Sequence, residues 1–437
     1  MSATASPVRI LILLLAALAL AACGDRSSTT EATVDTTPEL AIGPWHASIT
    51  LPGGEARFGL ELARDGDTVT ATIVNGSERI LVPAVDFDGE RIALRFPAFN
   101  NRIDAVLTAD GLDGSLTLVK RYGETQVMPF RAAPGAGPTT GASTTRDLSG
   151  RWAVTFTEED GSTYPAVGEF RQRGTRLLGT FLTQTGDYRY LGGIVDGDTM
   201  RLQTFDGAHA FLFTATVDED GALAGKFWSG TKSIEDWTGA RDATATLADA
   251  AELTFLREGF DRFTFAFPDL DGNTVSLDDA QFEGKVVLVT LAGSWCPNCH
   301  DEAAFMTELY ARYAARGVEV VALMYEHLED TDAARAQVQA FRDKFGIQYT
   351  PLLAGISDKT KAAETLPALD RVLAFPTTIF IARDGSVREI HTGFSGPGTG
   401  EHYERLKKRI YSLVDTLVDE PGASAEPVAA VSAVAAD

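Results

Sequence analysis

Cys296-Pro297-Asn298-Cys299-His300, inside "GSWCPNCHDE", is the stretch of the chain where residue types and spacing converge on chemistry. Two thiols separated by two residues can open and close a disulfide between themselves, so the pair reads as a redox dithiol. The same cysteines with His300 also fit a c-type haem attachment, with both thiols bonded to the haem and the histidine as an axial ligand. The chain holds only 3 cysteines, the third being Cys23. Without a framework of structural disulfides, a close cysteine pair serves chemistry or a ligand.

The flanking elements choose between these readings. "KVVLVTLAG" upstream is a nearly continuous apolar run, as expected of a strand buried on both faces. "DEAAFMTELYARYAARG" downstream carries apolar residues at helical spacing and stops at Gly317. The pair therefore opens a helix directly after a buried strand, whereas haem c domains are generally helical around the haem. A helix N-terminus offers unpaired amide hydrogens and a partial positive charge, which favour a thiolate at Cys296. Cys299, one turn later on the same face, is placed to resolve a mixed disulfide by attacking Cys296. Pro297 suits the first helical turn, where its missing N–H costs nothing. Trp295 either shields the site or is an ordinary packing residue.

Further along, "VEVVALMY" reads as a second buried strand and "TDAARAQVQAFRDKFG" as a second helix ending at Gly346. "TTIFIA" and "SVREIH" flank Asp384-Gly385, the preferred pair of a two-residue hairpin, and "EHYERLKKRIYSLVDTLV" is a final amphipathic helix. The expected order is strand, helix, strand, helix, hairpin, helix.

On these segments, "FEGKVVLVTLAGSWCPNCHDEAAFMTEL", "GVEVVAL" and "AFPTTIFIARDGSV", the region 258–418 resembles the TlpA-like (redoxin) branch of the thioredoxin superfamily. That branch consists of membrane-tethered periplasmic thiol-disulfide oxidoreductases and includes the reducing thioredoxins of cytochrome c maturation. The resemblance implies a thioredoxin-like α/β fold, protein thiols and disulfides as substrates, a membrane electron donor for a reductase, and no cofactor or metal. It casts Cys296 as nucleophile, Cys299 as resolving cysteine and Pro376 as a cis-proline facing them. Phe375, Thr377 and Trp295 then flank the substrate chain. Taken alone, Pro376 is an ordinary strand-start proline. Glu302 falls where some members keep an acid near the resolving thiol; it is a proton shuttle if buried, and a solvated helix glutamate if not. Asn298 and His300 vary in such motifs and receive no role. Peroxiredoxins share this fold but need a Thr three residues before the reactive cysteine; here that position is Gly293, with Thr290 six residues before, which disfavours a thiol peroxidase.

The preceding region is of another kind. "GPWHASIT" at Gly43 matches "SGRWAVTF" at Ser149, and "FDGERIALRF" at Phe87 matches "VDGDTMRLQTF" at Val195, so one unit is repeated. Short alternating segments separated by Asp-Gly or Asn-Gly turns predict antiparallel hairpins, about eight strands per copy, in two small barrels or sandwiches at 43–132 and 148–250. The Gly/Pro-rich stretch 133–147 links them. Neither copy holds a cysteine or a histidine cluster. A structural or partner-binding module is the stronger reading and a ligand cavity the weaker one.

At the start, Arg9 and the apolar run Ile10–Leu20 form a secretory signal too short to span a bilayer. Leu20-Ala21-Ala22-Cys23 resembles a bacterial lipobox, which implies cleavage before Cys23 and its lipidation. Gly24 rather than Asp then favours the outer membrane, facing the periplasm. Residues 24–42 read as a flexible tether and 419–437 as a disordered tail. With 61 acidic against 38 basic residues and a net charge of -23, nucleic acid is excluded as a partner.

Overall fold

The computed structural model describes residues 38–137 and 146–421. The signal segment, Cys23, the tether up to Thr37, residues 138–145 of the linker and the tail beyond Pro421 lie outside the described residues.

The first β unit is a curled antiparallel sheet of nine strands, running from Gly43–Leu51 to Thr125–Pro134. Its strands carry the period of two that puts one face inward: Asn101–Thr108 alternates buried and exposed at every residue. The edge strands Glu78–Leu81 and Ala84–Phe87 do not pair with each other, so the curl stays open. The second unit closes. Thr163–Arg173 pairs with both Gly150–Thr157 and Arg176–Thr183, and Gly150–Thr157 pairs on its other side with Ser233–Arg241. A two-residue strand, Gly186–Asp187, hangs on Arg176–Thr183 as the ninth member of that sheet. The expected eight strands per copy therefore fall one short, because strands of two to four residues are too brief to show alternation. The repeat itself is visible in one bond: Trp45 Nε1 donates to Ala41 O at 2.9 Å, and Trp152 Nε1 donates to Leu148 O at 3.1 Å.

Aromatic rings fill the closed unit. Phe213 stacks on Phe227 at 4.2 Å and packs against Phe181 at 4.8 Å, with Phe156 and Trp237 beside them, so side chains occupy the centre where a ligand cavity was one reading. The open unit is completed by its neighbour. Phe205, Ala208, Ala210 and Leu212, from a hairpin of the second unit, belong to the first unit's core, with Phe205 at 5.1 Å from Phe58 and 5.8 Å from Phe96. Buried Asn75 pairs with both the carbonyl and the N–H of Phe205, and Asn101 donates to Gly207 O, so the inserted backbone keeps its hydrogen bonds.

In the C-terminal domain we number β1 (Val286–Ala292), α1 (Pro297–Tyr313), β2 (Val318–Glu326), α2 (Thr331–Phe345), β3 (Thr350–Ile356), α3 (Lys359–Thr365), β4 (Thr377–Ile381), β5 (Val387–Thr392) and α4 (Glu401–Asp419). The sheet order is β3-β2-β1-β4-β5, with β1, β2 and β3 parallel and β4 and β5 antiparallel to their neighbours. Every residue of β1 is buried, which its unbroken apolar run requires. This is the thioredoxin-like fold, preceded by an all-β region. Two of these numbered elements were not anticipated, β3, whose Pro351 and Gly355 disguise a strand, and α3, a helix of only seven residues, and neither was the short hairpin of Ala266–Pro268 and Thr274–Ser276 ahead of them. The β4–β5 hairpin also differs from expectation. Its turn is closed by Ala382 N to Ser386 O and spans three residues, with Gly385, at φ 83°, as its one left-handed position, whereas a two-residue type I′ turn needs that conformation at both.

Candidate active site

Cys296 caps α1. Its backbone is extended, and its Sγ accepts the N–H of Cys299 at 3.3 Å, which satisfies one orphan amide of the helix N-terminus. The same sulfur lies 3.3 Å from Phe375 O, to which its S–H donates. Phe375-Pro376 is a cis bond, and Pro376 O accepts Gly393 N at 2.8 Å. Thr377 is buried and ties its hydroxyl to Ala374 O. The structure thus brings Cys296, Cys299, Phe375 and Pro376 together. Both thiols are free, Cys296 being 5% and Cys299 1% exposed.

Trp295 stacks on His327 at 4.5 Å and meets Phe375 edge-on at 5.9 Å, while its Nε1 donates to Tyr325 O at 2.8 Å. Gly293 makes that seat possible, since a Cβ there would stand 2.6 Å from Tyr325 O. The position where a peroxidase needs a threonine therefore has no room for a side chain.

Behind the pair, Glu302 is 3% exposed. Thr290 and Thr378 donate their hydroxyls to its two oxygens, the latter at 2.6 Å. Burial pushes the carboxyl up to about 7, against the pull of both hydroxyls. The Cys299 thiol is pushed well above its ordinary value, first by burial, then by its bond to Cys296 and by the negative charges of Cys296 and Glu302. The condition attached to the proton-shuttle reading of Glu302, that it be buried, is met.

His300 is held in place by neighbours on every side. Lys344 Nζ donates to Nδ1 at 2.9 Å, so the other nitrogen carries the proton and donates to Ser294 O at 2.6 Å. Phe99, from the first β unit, stacks on the ring at 4.3 Å. Burial, then the Lys344 charge, keeps His300 neutral by pushing its pKa well down. With both nitrogens engaged inside the protein, His300 does not project as a haem ligand.

Several residues of the site escaped sequence reasoning. Glu326, 1% exposed, accepts from Ser294 N at 2.9 Å and Ser294 Oγ at 2.6 Å, and burial pushes it up to about 7. Asp187, on the short strand of the second unit, accepts from Asn298 Nδ2 at 3.3 Å and from Gly396 N at 2.7 Å. Arg189 grips Asp301 with two bonds of 2.9 and 3.0 Å. Nothing near Asp187 or Arg189 in sequence marks them, because their partners lie more than a hundred positions away.

Comparison with known proteins agrees with the geometry. The profile of the Redoxin family matches residues 259–406. Thiol-disulfide oxidoreductase ResA of Halalkalibacterium halodurans is 30% identical over 143 residues, covering 33% of this chain and 73% of the relative. ResA of Geobacillus thermodenitrificans is 29% identical over 157 residues, 36% of this chain and 82% of the relative. A solved thiol:disulfide interchange protein of the thioredoxin family from Chlorobium tepidum aligns over 37% of this chain and 98% of its own, at 19% identity and a TM-score of 0.29. The family match leaves the β units aside. From a dithiol on the first turn of α1 and a ResA relative matched over 73% of its length, the chain belongs to the redoxin branch of the thioredoxin superfamily, among the thiol-disulfide oxidoreductases.

Proposed function

We propose that the protein reduces disulfides of envelope proteins through Cys296 and Cys299. The carrying observation is the buried Glu302, titrating near 7 behind a resolving thiol that is held protonated. Cys296 gives up its proton to solvent and its thiolate attacks one sulfur of the substrate, and the substrate's other sulfur leaves as a thiolate that takes a proton from solvent. Glu302 then accepts the Cys299 proton, Cys299 attacks Cys296, and the second substrate sulfur departs and is protonated, by way of solvent, with the proton that Glu302 gives back, leaving the Cys296–Cys299 disulfide. A membrane electron-donor protein returns the two electrons. Burial keeps the Cys299 thiol protonated until Glu302 takes its proton, so ionisation of Cys299 does not stabilise the reduced pair. Trp295, Phe375, Pro376 and Thr377 line the edge that receives the substrate chain. Lipidation at Cys23 would hold the protein at the outer membrane, facing the periplasm.

The test is the Cys299→Ser variant, which should accumulate partner proteins as mixed disulfides on Cys296 that dithiothreitol releases. Absence of such adducts, with Cys296→Ser leaving disulfide reduction unchanged, refutes the proposal.

A further inference from the structure

Three of the first five residues of α1 are covered by the β units. Asp187 bonds Asn298, Phe99 stacks on His300, and Arg189 grips Asp301. The fit is close. Gly186 approaches so near that a Cβ on it would stand 3.1 Å from the Asn298 amide. On the facing side, a Cβ on Gly393 would lie 2.8 Å from the Thr185 carbonyl carbon, and one on Gly398 would lie 2.9 Å from that of Arg189. Gly393 is the residue bonded to Pro376 O, so the Thr185–Gly186 peptide stands beside the cis-proline as well as the helix. Arg189 itself adopts φ 55°, and also binds Glu78 of the first unit at 2.9 Å and Asp206 of the second at 3.4 Å. One guanidinium thus fastens both β units to the dithiol helix.

We propose that the β region is part of the active site, with residues 185–189 forming a wall against the first turn of α1 and the Gly393 loop that admits small disulfides and those of extended, unfolded segments of envelope proteins and excludes those of folded domains. Asp187 and Arg189 are positioning residues for the first turn of α1. Attack on a disulfide requires the substrate's two sulfurs in line with Cys296 Sγ. The wall takes up the Asn298 and Gly393 side of that approach, and Cys296 is only 5% exposed, which leaves a narrow path suited to an extended chain. The inference rests on the reading of Cys296 as the reactive thiol.

The experiment compares N-ethylmaleimide with a 5-kDa polyethylene-glycol maleimide on the full reduced chain, with labelling at Cys296 read by peptide mass spectrometry. The wild type should take the small reagent much faster than the large one. Asp301→Ala, which releases Arg189 from α1, and Gly398→Val, which puts a side chain against the Arg189 backbone, should each raise the large-to-small rate ratio by about tenfold or more as the wall opens locally. Reduction of insulin relative to glutathione disulfide, with dithiothreitol as reductant, should rise alongside. Thermal melts identify a variant that has unfolded, and the other variant then decides. Unchanged ratios in folded variants, or a wild-type ratio already near one, overturn the wall alone. If N-ethylmaleimide fails to label Cys296 in any variant, the reading of Cys296 as nucleophile falls and takes the wall with it.

Discussion

Glu302→Gln keeps the size of the side chain and removes its charge, which isolates the role of one proton. Burial moves this carboxyl from 4.5 to about 7, which corresponds to about 3 kcal/mol against the ionised form inside the protein. Below pH 4.5 the group is protonated in both folded and unfolded chains and costs nothing. Between pH 4.5 and about 7 the unfolded chain releases a proton that the folded chain keeps, so stability falls as pH rises, and above about 7 the whole penalty is present. Glutamine carries no such penalty, and the hydroxyls of Thr290 and Thr378 can rotate to suit its amide. Urea unfolding should find the variant level with wild type near pH 4 and up to about 3 kcal/mol more stable at pH 8. Activity should move the other way. A general base contributes about 10² in rate or more, so release of the second substrate thiol from a Cys296 adduct, followed by stopped flow, should slow about a hundredfold at pH 7. Its pH profile should lose the inflection near 7 and climb toward the raised Cys299 thiol. A variant that resolves adducts with the wild-type pH profile, or whose stability difference does not depend on pH, refutes this role.

Glu326→Gln should show the same gain in stability at pH 8 while leaving the pH profile of adduct resolution unshifted, because Glu326 serves the Ser294 turn rather than a thiol; a shifted profile would contradict that division of labour. Gly293→Ala should cost roughly 1–3 kcal/mol by forcing Trp295 off the Tyr325 carbonyl, seen as a lower urea midpoint and altered tryptophan emission. Phe205→Ala should cost about 3–5 kcal/mol although the residue lies outside the unit whose core it fills; a loss below about 1 kcal/mol in urea unfolding would show that the inserted hairpin is dispensable.

What was legible in the sequence was local. The apolar run of β1, the helical spacing of α1 and α2 and the Gly346 cap each follow from neighbours within a few positions and stand as read, while Gly317 ends not α1 itself but the 3-10 turn Ala314–Arg316 that follows it. The position of the dithiol at a strand-to-helix turn was enough to separate it from a haem site. Glu302 could be narrowed to two roles but not decided, because its burial depends on Thr290 and Thr378, on strands that meet only in the folded sheet. The curled and the closed β unit carry similar alternating patterns, and nothing in those patterns says which one closes. The contacts of Asp187, Arg189 and Phe99 with the dithiol helix are tertiary, and no spacing announces them.

The insertion of Phe205 and its hairpin into the first β unit bears on the order in which the chain can mature. Residues 43–134 leave the ribosome well before the segment that completes their core. The first unit must therefore wait, partly apolar and open at its edge strands, until synthesis has reached Leu212. A fragment ending in the linker would keep that exposed face for good. The two copies of the repeat are, in maturation, a single piece.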